Sequence, residues 1–266
     1  MTREMSVAGA FYPAREVELE RYFEHFETIY DENASLPKVK SKAVIVPHAG
    51  YIYSGYTASI AYRVLQNSNI KTFVVIGPSH RAAFEGVSLC DAQSYATPFG
   101  EIQSSQILVE ELRERFNLST ILHPHAEHST EVQFPFIKHY LKDANIVELV
   151  YGRVEPEFIS EIIDFILEKE ECGVIISTDL SHFYTLEDAN KLDEICLSAI
   201  QNLDINQLHH GCEACGMIGV EAMLLSARGL DLNSTILDYR TSADASDDTN
   251  RVVGYVSAYF MPNSEN

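Results

Sequence analysis

Short β-branched runs alternating with longer amphipathic stretches predict an α/β fold: a three-layer α/β/α arrangement around a central, mostly parallel or mixed sheet. Three runs carry the prediction, Ala43-Val44-Ile45-Val46, Phe73-Val74-Val75-Ile76 and Val174-Ile175-Ile176-Ser177. Each breaks off into polar or turn residues, as strands buried on both faces of a parallel sheet do. At 266 residues the chain fits one large domain spanning 1–266, able to bury roughly 75% of its unfolded surface.

In order along the chain, the pattern gives an amino-terminal helix from Glu16 to Tyr30 and a polar loop from Asp31 to Lys42. The strand before His48 follows, then a helix from about Thr57 to Leu65. The strand before Gly77 comes next, a further strand from Val87 to Cys90, and a helix from Ser105 to Phe116. Glu131 to Tyr140 reads as helix with Ser129 or Thr130 as N-cap. Asn145 to Tyr151 reads as strand, Glu155 to Glu170 as helix and Gly173 to Thr178 as strand. Helices over Leu186 to Leu203 and Gly216 to Arg228 precede closing strands near Thr235 to Tyr239 and Val252 to Phe260.

Composition excludes several function classes. Nineteen basic against thirty-nine acidic residues give a net charge of −20, so phosphate backbones and anionic membrane surfaces are repelled, and no basic patch offsets this. No apolar run is long enough to span a bilayer, and Met1-Thr-Arg-Glu4 has no signal-peptide core behind it, which points to a cytoplasmic protein. Five cysteines in such a chain argue against a disulfide framework, and Cys90, Cys172 and Cys196 sit in apolar settings that suit inert core residues. Dinucleotide, P-loop, serine-hydrolase and zincin motifs are all missing.

Four histidine-bearing segments stand at strand ends or helix starts: His48-Ala49-Gly50, Gly77-Pro78-Ser79-His80, Glu127-His128-Ser129 and Asp179-Leu180-Ser181-His182. Ligands of open α/β sheets sit beyond the carboxyl ends of the strands, so imidazoles placed there are candidates for a metal site. His48 and His80 form the best pair, because their small neighbours leave room for a ligand. Asp179 lies three residues from His182 and can orient that imidazole or ligate beside it, or merely cap the next turn. Glu127 beside His128 is equally explained by the favourable field at a helix start. His123, His125, His209 and His210 read as surface residues. Cys212-Glu213-Ala214-Cys215 runs into a helix start, where a thiol pKa is lowered, so Cys215 is a candidate thiolate and the most oxidation-sensitive cysteine expected. Cys212 stands near enough in sequence to resolve an oxidised Cys215 as a disulfide.

Taken together, Ala8 to Pro13, Pro47 to Gly55, Gly77 to His80, Glu127 to Pro135, Ser177 to His182, Cys215-Gly216 with Gly219, and Asp238-Tyr239 resemble the Memo family over nearly the whole chain. The resemblance implies a fold like that of the class III extradiol dioxygenases, non-haem iron enzymes whose metal is held by two histidines and a glutamate. It implies metal ligands at His48, His80 and Cys215, the cysteine standing where those dioxygenases carry a carboxylate. His182 corresponds to their general base, with Asp179 and His128 lining the same pocket. Thiolate in place of carboxylate softens the site, so iron or copper is expected, with zinc as a further candidate. The resemblance implies a metal-dependent oxidoreductase acting on a small aromatic or redox-active molecule, or alternatively a binding or assembly factor using an inherited pocket. It also implies radical-SAM and AMMECR-type proteins as partners, and gives no role to Cys212.

Overall fold

The computed structural model describes residues 1–263. In chain order the elements are β1 (Thr2–Arg3), α1 (Glu16–Asn33), β2 (Ala43–Val46), α2 (Tyr51–Leu65), β3 (Thr72–Pro78), β4 (Val87–Leu89), β5 (Ser94–Tyr95), β6 (Ile102–Gln103) and α3 (Gln106–Phe116). They continue with α4 (His128–Glu131), α5 (Phe134–Tyr140), β7 (Asn145–Tyr151), α6 (Pro156–Leu167), β8 (Cys172–Ser177), β9 (His182–Tyr184), α7 (Leu186–Asn202), α8 (Ile205–Leu208), α9 (Met217–Gly229), β10 (Leu232–Thr241) and β11 (Val252–Pro262).

The main sheet runs β10-β11-β2-β8-β3-β7-β4, with β9 paired to β11. Strands β2, β8, β3 and β7 are mutually parallel, and β11 and β4 flank them antiparallel. Period-two alternation assigns each strand residue to one of two cores. Ala43, Ile45, Val74, Ile76, Val174 and Ile176 face α3, α6, α7 and α9, while Val44, Val46, Phe73, Val75 and Ile175 face α1, α2 and α5. That division is the α/β/α layering, and the sheet is mixed.

Among the differences from the sequence reading, three have clear physical reasons. Helix α2 begins at Tyr51 rather than Thr57, because Gly55, a weak helix former, is buried where it abuts Phe26 of α1, and Ser54 donates back to Ala49 O at the helix start. The helix expected over Glu131 to Tyr140 is two short helices, broken before Pro135, which sits in the first turn of α5 and offers no N–H to the preceding turn. The N-cap of α4 is Glu127, whose side chain accepts from Ser129 N, rather than Ser129 or Thr130.

The cysteine pattern also differs. Cys196 on α7 and Cys212 in the loop before α9 form a disulfide across 16 positions. Cys196 is therefore a crosslink rather than an inert thiol, and Cys212 is not free to pair with Cys215. Cys90 is a buried free thiol and Cys172 a partly exposed one. Among the described residues no helix is long and apolar enough to cross a membrane.

Candidate metal centre

The carboxyl ends of β2, β3 and β8 lead directly into His48, His80 and Asp179, as strand-end placement predicted. Two close approaches close the site around them. Gly77 lets α4 press onto the end of β3, since a Cβ there would lie 2.6 Å from Ser129 Oγ. Gly216 lets the loop carrying Cys215 lie against the end of β8, where a Cβ would meet Thr178 Cβ at 2.7 Å.

His48, His80 and His128 come together, each offering one ring nitrogen within 4.8 Å of the others. Ring centroids are 5.1 Å apart for His48 and His80, 5.4 Å for His48 and His128, and 4.6 Å for His80 and His128. His48 is buried, His128 half-buried and His80 exposed, so the cluster meets solvent on the His80 side.

Hydrogen bonds fix which nitrogen each ring presents. Ser177 Oγ donates to Ser129 O and accepts from Gln133 Nε2 at 3.0 Å, so it can only accept again from His48 Nδ1 at 2.9 Å. Glu127 Oε1 lies 3.3 Å from His80 Nδ1 and 2.8 Å from His128 Nδ1, and a carboxylate can only accept. All three rings therefore donate from Nδ1, which leaves Nε2 as the nitrogen each can offer a metal.

Glu127 is fully buried, and burial alone would raise its pKa. Hydrogen bonds from His128 and His80 and from the backbone N–H groups of His80 and Ser129 outweigh that and hold it far below the usual carboxylate range. Burial, reinforced by the neighbouring His80 and His128 rings, pushes His48 well below the ordinary histidine value, so its ring is a neutral donor. Imidazoles with Nε2 left free of protein partners of this kind suit a transition metal.

Cys215 adjoins this trio through His48, with Sγ 3.2 Å from His48 Nε2 and 3.3 Å from the donating Asp179 N. Its thiol departs from the helix-start expectation. Burial, with help from the Asp179 charge, pushes it up to about 12. Residue 215 precedes the first turn of α9, and removal of the sulfur from water outweighs the helix field there.

Asp179 Oδ1 accepts from His48 N at 2.7 Å, so this carboxylate braces the His48 backbone. The His182 ring is oriented instead by Leu180 O, which accepts from its Nδ1 at 2.8 Å. Two residues carry more than the sequence suggested. Glu127 orients two rings at once, a role whose only local sign was its place beside His128. His125 is buried rather than on the surface, packed against Glu148 in a second cluster.

A three-layer α/β sheet protein with an imidazole cluster at its strand ends is the class that fold and site define. The Memo-like protein family profile matches residues 3–259, and the chain belongs to that family. It is 32% identical to a MEMO1 family protein of Aquifex aeolicus, over 97% of this chain and 99% of the relative. It is 33% identical to one from Methanobrevibacter smithii, over 98% and 100%, and 30% identical to one from Thermoplasma volcanium, over 97% of each chain.

Proposed function

We propose that the strand-end cluster holds one transition metal on His48, His80 and Cys215, with iron or copper favoured over zinc, and serves a metal-dependent oxidoreductase in the cytoplasm. The observation that carries this reading is the convergence of the rings, whose Nδ1 atoms are taken up by Ser177 and Glu127 so that Nε2 is the nitrogen left for a metal. A redox-active metal there supplies one-electron chemistry that side chains alone lack.

The remaining residues bind and move protons. His128 lines the space and stacks on Phe11 at 4.6 Å, offering a flat wall to a small aromatic or redox-active substrate. His182 Nε2 accepts a proton, its ring held by Leu180 O, and Asp179 holds the His48 backbone in place. The opening at His80 admits the substrate. Since Cys215 stands where extradiol dioxygenases carry a carboxylate, ring cleavage of catechols is expected to be absent or far below ~1 s⁻¹.

A second reading, a binding or assembly factor, is favoured by the exposed Ile52 and Tyr53 at the start of α2 and by the groove of about 1050 Å³ that they help to line with Phe11 and Tyr22. Radical-SAM and AMMECR-type proteins are the partners that family resemblance suggests for it. Elemental analysis of protein purified without oxygen or chelators, alongside His48→Ala and His80→Ala, decides the metal claim. Equal metal content in all three proteins would refute it. Protocatechuate cleavage gained by Cys215→Glu with iron would support dioxygenase ancestry.

A further inference from the structure

On the other side of α4 from this site, Cys90, His125 and Glu148 place one donor atom each within 4.8 Å of one another, all three side chains buried. The donors come from the residue after β4, the turn over 123–125 and the middle of β7. Helix α4 stands between the two clusters, its Thr130 hydroxyl donating to Glu148 Oε1 at 2.6 Å.

The hydrogen-bond arrangement here leaves several groups unspent. Ser88 Oγ donates to Ile121 O, so it accepts from His125 Nε2 at 2.8 Å. In a neutral ring, His125 Nδ1 then carries a lone pair, yet it faces Glu148 Oε2 at 3.2 Å. Two acceptors do not face each other in a protein interior without a positive centre between them. His125 Nδ1 and Tyr95 OH are buried without a well-formed hydrogen bond, and Glu148 Oε2 has only its ion pair with Arg3 Nε at 3.0 Å.

Charge points the same way. Arg3 pairs with Glu131 at 2.8 Å and with Glu148 at 3.0 Å, so one guanidinium faces two fully buried carboxylates and one negative charge is in excess. A protonated His125 would balance this, but it leaves the donors around Cys90 unused. Burial and the Glu148 charge push the Cys90 thiol up to about 12, so a thiolate there needs a cation beside it, for which the Tyr95 hydroxyl and the Ala92 N–H already stand at the sulfur as donors.

We propose that Cys90, His125 and Glu148 form a second, structural cation site for a zinc-like divalent ion. Binding expels the Cys90 thiol proton to solvent, and the ion's two charges then offset the thiolate and the excess carboxylate. Tetrahedral zinc holds such ligands about 3.5 Å apart; His125 Nδ1 and Glu148 Oε2 already stand 3.2 Å apart, and the Cys90 sulfur within 4.8 Å completes the set. Arg3 keeps its contact with Glu131. The ion ties β4 and the 123–125 turn to β7, and through Thr130 it supports the helix carrying His128.

The test uses His48→Ala/His80→Ala protein, so that its outcome does not depend on whether the first site loads. After equilibration with zinc and dialysis, this protein is expected to retain one zinc per chain. Cobalt in its place should show a thiolate charge-transfer band, and adding Cys90→Ser should abolish the band and weaken zinc binding at least ~10-fold. Nitrogen NMR of zinc-equilibrated wild type should show His125 protonated on Nε2 alone, a reading that does not depend on the variant folding. Failure to retain zinc, a band surviving Cys90→Ser, or a doubly protonated His125 would each overturn the proposal.

Discussion

Glu127 Oε1 lies 2.8 Å from His128 Nδ1, and the same carboxylate receives His80 Nδ1 at 3.3 Å and His80 N at 2.7 Å. One buried anion thus sets the tautomer of two of the three rings in the candidate metal centre. Such supporting carboxylates typically contribute 10- to 100-fold in metal affinity. Glu127→Gln preserves volume but presents an NH₂ to at least one of the donors. Metal binding by Glu127→Gln is expected to weaken about 10- to 100-fold in chelator competition. Unchanged affinity would mean that something other than Glu127 orients the rings.

Burial holds the Cys215 thiol at about 12, against an ordinary 9.0, so without metal the sulfur is protonated throughout the neutral range. Its thiolate fraction near neutrality is about 1000-fold below that of an ordinary cysteine, and alkylation of the folded, metal-free protein should be slowed to match. A metal bound through Cys215 must displace that proton. Affinity should therefore rise about tenfold per pH unit and fall as acid is added, over the whole range below the folded pKa. Calorimetric titration at two pH values about one unit apart checks this. His48, held neutral by burial, adds no proton of its own near neutrality. A flat profile would assign the third ligand to His128 instead of Cys215.

Strand ends were legible because a β-branched run and the residue that closes it are neighbours in sequence, and that placed His48, His80 and Asp179 at one edge of the sheet. Other features depend on elements that meet only after folding. The double use of Glu127 requires α4 to pack on the end of β3, which Gly77 permits but does not announce. His125 follows Pro124 in what reads as a loop, and only contact with Ser88 and Glu148 shows that it is buried. The Cys196 to Cys212 pairing joins a helix to a loop, and spacing alone does not specify such connectivity. The Cys215 pKa runs against its local signal because the helix-start field is local, whereas desolvation comes from the whole fold.

Glu131, fully buried on α4, gathers the amino-terminal segment. It accepts from Ser6 N and Val7 N at 2.8 Å, from Tyr12 OH at 3.0 Å, and from Arg3 Nη1 at 2.8 Å. This tether also holds residues 3–12 where Phe11 can stack on His128. Glu131→Gln turns an NH₂ towards groups that donate to the carboxylate and leaves at least one of them unpaired in the interior, while Arg3 keeps Glu148, and should cost about 1–3 kcal/mol in urea unfolding. A cost under ~1 kcal/mol, the range of surface pairs, would show the network to be hydrated and loose.

The disulfide between Cys196 and Cys212 closes a loop of 16 positions whose far end lies three residues from Cys215. Closing a loop of about that length is worth roughly 3 kcal/mol, chiefly through the unfolded chain it restricts. Cys196→Ala/Cys212→Ala removes the crosslink without leaving a buried thiol unpaired. Without reductant the variant should unfold ~2–4 kcal/mol more easily than wild type, and with a dithiol reductant that gap should narrow. Metal binding should follow the same pattern, because the loop from Cys212 to Cys215 loses its anchor on α7 when the bond opens. Unfolding midpoints of wild type that are identical with and without reductant, where mass spectrometry confirms reduction, would show that the crosslink neither stabilises the fold nor positions Cys215.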